Sequence, residues 1–129
     1  MVGRLPEMGQ TAADAKPRIT VAVIADDLIW ASRLRAAIEH AGGRPVAVKG
    51  ADEIGAALVV IDLGGRAYDG IAAVRAAASA GATVLAVTQH DDIDVRKAAL
   101  VAGAKRVLSY NKMFSDGPAV MERLMAGKL

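Results

Sequence analysis

A single carboxylate, Asp62, closes the aliphatic run Leu58-Val59-Val60-Ile61 and stands just before Leu63, Gly64 and Gly65. Two more, Asp26 and Asp27, close or follow a second apolar run, Ile19 to Ala25, and a hydroxyl, Thr88, follows a third, Thr83 to Val87. Carboxylates brought together repel one another, so such a cluster calls for a cation. An all-oxygen donor set suits Mg²⁺ held by one or two carboxylates plus water. A carboxylate beside Mg²⁺ is also a nucleophile toward phosphorus, giving an aspartyl phosphate. A hydroxyl and a cation nearby would stabilise the phosphoryl oxygens. Taken alone, an Asp at a strand end more often caps the turn that follows it. The grouping decides the matter, and the grouping depends on the elements that carry these residues.

Short uninterrupted aliphatic runs read as strands buried on both faces, the habit of parallel sheets. They are Ile19–Ala25, Pro45–Val48, Leu58–Asp62, Thr83–Val87 and Val107–Ser109. Between them the period changes. From Leu28 to Ala41 the residues Ala31, Leu34, Ile38 and Ala41 share one helical face, and Gly42-Gly43 stops the helix. Gly70–Ala80 and Ile93–Ala102 read as small-residue helices ended by Gly81 and Gly103. Pro118 suits the first turn of a last helix with Val120, Met121, Leu124 and Met125 on its apolar side. Lys49–Ala57, with the acids Asp52 and Glu53, has room for a turn or two of helix. Strand and helix alternate five times through short connections, which calls for a parallel sheet covered on both faces by right-handed crossovers. In such a sheet the loops after strands one, three, four and five open on one edge, where open α/β sheets hold their ligands. Asp26, Asp27, Asp62 and Thr88 would then surround one cavity.

At 129 residues the chain has room for one domain. Residues 1–18 lack periodicity and hold two prolines, so they read as a flexible N-terminal tail; 19–126 form the domain, and 127–129 its C-terminal end. The net charge of +2 arises at the ends, since residues 19–126 hold twelve bases and twelve acids. That balance excludes a nucleic-acid footprint. There is no cysteine, so disulfides and thiolate metal sites are excluded. No G-x-G-x-x-G or P-loop string is present, which removes support for a nucleotide enzyme, and no apolar run is long enough to span a membrane. A cytoplasmic, non-enzymatic domain is the expectation.

Residues 19–126 resemble a response-regulator receiver domain of two-component signalling, of the chemotaxis-regulator kind. Asp62 to Gly70, DLGGRAYDG, is similar to the phosphoacceptor loop; Thr88 stands where the family keeps its switch hydroxyl; and the spacing from Thr88 to Gly103-Ala104 is the usual one. The resemblance implies a flavodoxin-like doubly wound sheet of order 2-1-3-4-5, here with a shortened second helix. It implies Asp62 as phosphoacceptor, Thr88 as phosphoryl-contacting hydroxyl, and Mg²⁺ held by Asp26, Asp62 and the Gly64 carbonyl, with Asp27 a further ligand if it substitutes by a shift. It also implies a histidine kinase or other signalling protein as partner. The helix over 93–102, the strand over 107–109 and the last helix form the family's dimer surface.

Several positions depart from the family. Of the two acids that normally close strand one, Ala25 replaces the first. Arg66 replaces the loop proline, and Val107 the aromatic switch residue. Six residues past Ala104, where the family has its lysine, stands Tyr110; Lys112 lies two residues further on, a displaced candidate for the same role. A phenol supplies one hydrogen bond and no charge, so phosphoryl transfer and its readout are expected to suffer. The expected function is therefore an atypical receiver, its phosphorylation switch impaired, acting by protein–protein contact. The alternative is a working stand-alone receiver that takes a phosphoryl group from a histidine kinase on Asp62 with Mg²⁺. His90 in the loop after Thr88 is a candidate tuner of hydrolysis, and His40 a cation on a helix end. Trp30 is either core or half-exposed beside the site. Arg96-Lys97 and Lys105-Arg106 are expected to be solvated faces, and Asp62 to lie partly exposed at the cavity floor.

Overall fold

Five strands and four helices follow one another along the chain in a computed structural model that describes residues 18–50 and 54–129. In chain order they are β1 (Thr20–Ile24), α1 (Leu28–His40), β2 (Arg44–Ala47), β3 (Leu58–Asp62), α2 (Gly70–Ser79), β4 (Thr83–Thr88), α3 (Ile93–Ala102), β5 (Arg106–Ser109) and α4 (Tyr110–Met125). All four strand pairings are parallel, in the order β2-β1-β3-β4-β5. The parallel sheet expected from the alternation is thus present, in the flavodoxin-like order that the resemblance implied. The tail and the acids Asp52 and Glu53 fall on residues 1–17 and 51–53, outside the described residues. Residues 48–50 and 54–57 on either side contain no helix, so the expected turn or two of helix there is absent among the described residues.

The alternation of side chains along buried strands builds two cores. Ala22, Ile24, Val59, Ile61, Val84 and Ala86 face α2 and α3, while Val21, Val23, Val60, Leu85 and Val87 face α1 and α4. Fully buried residues such as Ile24, Ile38, Ile61 and Leu85 each contribute roughly 1.5–3 kcal/mol of hydrophobic stabilisation. Asp27, Asp69, Asp92 and Ser109 cap the four helices, each accepting a bond from the backbone N–H three residues on. Gly103 ends α3 in the left-handed region at φ 119°, where a Cβ would be strained.

The last helix differs from its expected form. It begins at Tyr110 rather than near Pro118, because Ser109 supplies an N-cap directly at the end of β5. Its φ/ψ break at Asp116, and Pro118 lies in the first turn of the second segment. The proline therefore marks a helical restart, as its position suggested, but not the first start. Among the described residues no helix is long and apolar enough to cross a membrane.

Candidate functional site

β3 delivers Asp62 to the carboxyl edge of the sheet, where its carboxylate is only 2% exposed. Two donors hold the same oxygen. The Gly64 N–H donates to Asp62 Oδ1 at 2.9 Å, and the Tyr110 hydroxyl, arriving from the first turn of α4, donates to it as well. Asp62 was expected to be partly exposed; it is buried, and the Tyr110 phenol lies directly against it. Burial pushes its carboxyl above the ordinary value, an effect reinforced by the negative charges of Asp27 and Asp26. The bonds from Tyr110 and Gly64 pull it back. Burial, followed by the bond to Asp62, raises the Tyr110 phenol, so it stays a neutral donor across the physiological range.

The two glycines after Asp62 have no left-handed backbone angle to explain them. They make room instead. A Cβ on Gly64 would sit 2.6 Å from the Tyr110 hydroxyl oxygen and 3.3 Å from Asp62 Oδ1. A Cβ on Gly65 would sit 2.1 Å from the Tyr68 ring. Close approach, one of the two reasons for placing glycine there, is the one that operates. Tyr68 itself is a site residue that its place in the sequence did not reveal. Its hydroxyl reaches the Asp62 carbonyl at 2.5 Å and the Ile24 carbonyl at 3.1 Å, tying the ends of β3 and β1 together. The available signal was scarcity: the chain has four aromatic residues, and Tyr68 is one of them.

Asp26 stands beyond the end of β1, and its Oδ2 accepts the backbone N–H groups of Arg66 at 2.8 Å and Ala67 at 2.6 Å. Those bonds hold its carboxyl below the ordinary value. The group's contribution to stability is thus complete above its unfolded-state value of 3.8 and is lost as pH falls below it. Asp26→Asn, followed by hydrogen exchange, is expected to loosen the Arg66 and Ala67 amides at neutral pH and to flatten the acid limb of the stability curve. Asp27 caps α1, its Oδ1 accepting from the Trp30 N–H at 2.9 Å. The oxygen donors that could take a divalent cation are the carboxylates of Asp26 and Asp62 and the Gly64 carbonyl, while Asp27 keeps Oδ2 outside its cap bond. Among the described residues no three acidic or histidine side chains group closely enough to enclose a metal. Two carboxylates suit a Mg²⁺ ion that keeps most of its water.

Thr88 ends β4, is 4% exposed, and pairs in register with Ser109 of β5, the residue that caps α4. Lys112 points elsewhere: its Nζ pairs with Asp116 at 2.7 Å, one turn along α4, with both side chains about half exposed. His90 is exposed in the β4–α3 loop, and His40 is exposed in the last turn of α1. Trp30 is the half-exposed option. Its ring lies 4.7 Å from that of Tyr110, and the Arg33 guanidinium stands 5.3 Å from its centroid. Val107 is buried, and its carbonyl accepts from Arg96 at 2.8 Å. Arg96 is therefore anchored to β5 rather than solvated, a bond that its neighbour Lys97 does not share.

No family model matches the chain, and no curated protein matches it in sequence. Solved structures do. The receiver domain of DrrB from Thermotoga maritima, activated with BeF3, superposes with a TM-score of 0.73 at 19% identity, over 85% of this chain and 99% of that one. A receiver domain of a Francisella response regulator gives 0.70 at 16%, over 87% and 100%. A response-regulator receiver domain from Clostridium thermocellum gives 0.70 at 17%, over 85% and 96%. With the strand order, the two-sided helix layers and the acidic sheet edge, these likenesses lead to one conclusion: the chain has the flavodoxin-like fold of response-regulator receiver domains.

Proposed function

We propose that this chain is an atypical receiver: a cytoplasmic signalling module, not an enzyme, that acts by protein–protein contact and in which phosphorylation of Asp62 is impaired. The observation that carries this reading is the Tyr110 hydroxyl on Asp62. The phenol occupies the oxygen that an incoming phosphoryl group would approach beside, and it brings no positive charge to offset the added negative one. Lys112 is engaged in an ion pair with Asp116, one turn along α4. Val107, small and aliphatic, has no ring to swing between inward and outward states.

A second reading is favoured by Asp26, Asp62 and Thr88 lying at one sheet edge. In it an Asp62 carboxylate oxygen attacks the phosphorus of a phosphohistidine on a kinase. The P–N bond breaks, and its electron pair stays on the imidazole nitrogen. Asp26, Asp62 and the Gly64 carbonyl would hold Mg²⁺, which supplies charge stabilisation to the phosphoryl oxygens. Thr88 would donate to one of those oxygens.

Beryllofluoride with Mg²⁺, a mimic of the acyl phosphate, separates the two. The wild-type chain is expected to respond to Mg²⁺ only at millimolar concentration, by NMR shifts at Asp26 and Asp62, and to bind the mimic poorly with little movement of α3. Tight binding of the mimic, abolished by Lys112→Ala, would establish the second reading instead.

A further inference from the structure

We propose that Tyr68 is a positioning residue that fixes the gap between Asp26 and Asp62 and so makes that edge selective for Mg²⁺ over larger divalent cations. This role rests on Asp26, Asp62 and the Gly64 carbonyl being the oxygen donors for a metal, and it holds whether or not Asp62 is a phosphoacceptor. The pair Ile24–Ile61 is the last in the β1–β3 register. Asp62 follows it by one residue and still belongs to β3, whereas Asp26 follows by two and lies outside any strand. Bonds from side chains and loops must therefore set where Asp26 stands. Tyr68 closes that end of the sheet. Its hydroxyl reaches the carbonyl of Asp62 at 2.5 Å and that of Ile24, two residues before Asp26, at 3.1 Å. The residues just before it, Arg66 and Ala67, donate their N–H groups to Asp26 Oδ2. Asp69, just after it, caps α2 through the Ala72 N–H. Residues 66–69 thus stitch the ends of β1 and β3 to the start of α2, with the phenol bonded to both strands.

The phenol is itself held in place. Its ring lies against Gly65, where an added Cβ would sit 2.1 Å from it, and packs on the core that faces α2 and α3. A tyrosine has two side-chain torsions to fix, so it keeps a position at small entropic cost. Burial, followed by the negative charges of Asp62 and Asp26, raises the phenol, so it stays a proton donor. Ion size then decides what a fixed gap does. Mg²⁺ demands near-octahedral oxygen geometry at about 2.0–2.1 Å, whereas Ca²⁺ accepts irregular sets at about 2.3–2.6 Å. A gap that cannot relax discriminates between them. A gap that can relax loses the discrimination, at the expense of the ion with the stricter geometry.

The experiment titrates Mg²⁺ and Ca²⁺ separately into the full chain at constant ionic strength, reading amide NMR shifts at Asp26, Asp62 and Gly64. Tyr68→Phe keeps the ring on Gly65 and deletes the hydroxyl alone. It is expected to weaken Mg²⁺ about tenfold, the usual loss when a group that orients a metal ligand is removed, and Ca²⁺ by less than about twofold. Gly65→Ala, which pushes the ring away from the other side, should give the same split between the two ions. Ile38→Val, a core truncation beside Gly43 near the start of β1, controls for general loss of stability and should leave both affinities unchanged. Unchanged Mg²⁺ binding by Tyr68→Phe, an equal loss for both ions, or the same split in Ile38→Val would overturn the proposal and leave the metal site standing. Absence of any Mg²⁺ response in the wild type would overturn it together with the metal site.

Discussion

Tyr110→Lys is expected to raise the affinity for beryllofluoride with Mg²⁺ by about tenfold or more over wild type, and to produce NMR shifts at Thr88 and α3 that are not expected of wild type. The tyrosine hydroxyl lies over Gly64 and donates to Asp62. Its raised pKa leaves it neutral, so a bound phosphoryl mimic meets a dipole where it needs a charge. Lysine at this position removes the ring from above Gly64 and delivers an ammonium from the same helical turn. One charge-assisted contact in place of a neutral one accounts for ~1.4 kcal/mol or more, which is the tenfold. Lys112→Ala serves as the control. Its exposed ion pair with Asp116 contributes little, so the substitution should leave both the wild-type and the Tyr110→Lys titrations unchanged. If Tyr110→Lys binds the mimic no better than wild type, the phenol is not what impairs the site.

The second large effect concerns stability. Tyr110→Phe should destabilise the fold by about 1.5–3 kcal/mol at neutral pH, the usual worth of a hydrogen bond to a charged group. It leaves Asp62 buried with the Gly64 N–H as its one remaining donor among the bonds described. The pH dependence gives an independent reading. Asp62 has a raised folded-state pKa, so below the unfolded value of 3.8 it carries no penalty. As pH rises through the window from 3.8 to the folded value, the native state binds more protons than the unfolded one, and stability falls. Asp62→Asn removes that fall. It is expected to raise stability at neutral pH by about 1 kcal/mol, the size of a common single-substitution effect, and to leave acid stability unchanged. In the Asp62→Asn background, Tyr110→Phe should cost only about 1 kcal/mol, since a neutral bond is then lost. Urea melts of the four proteins at pH 3.5 and pH 7 measure all of this. A Tyr110→Phe cost that is the same in both backgrounds would show that the phenol and carboxylate do not interact in solution.

Much of the architecture could be read along the chain. Aliphatic runs of three to seven residues read as strands that bury both faces, and the helices between them carry their own stops at Gly42, Gly81 and Gly103. From there the strand-end positions of Asp62 and Thr88, and of Asp26 just past β1, follow from topology alone. The count that puts Tyr110, not Lys112, six residues past Ala104 at the lysine position comes instead from the resemblance to receiver domains.

What each side chain touches was settled only by the tertiary structure. That Asp26 spends its carboxylate on the Arg66 and Ala67 amides depends on a contact forty residues away in sequence. Tyr68 joining β1 to β3 depends on the pairing of those strands. Lys112 facing Asp116 follows from α4 beginning at Tyr110, since a helix places residues four apart on one side. A capping serine at the end of a strand starts the helix early, and that turn swings the Tyr110 phenol onto Asp62 and Trp30 while carrying the lysine outward. Periodicity reports which face of an element is buried. It does not report where along the neighbouring element a long polar side chain finds its partner, because that distance is set by packing between segments remote in the chain.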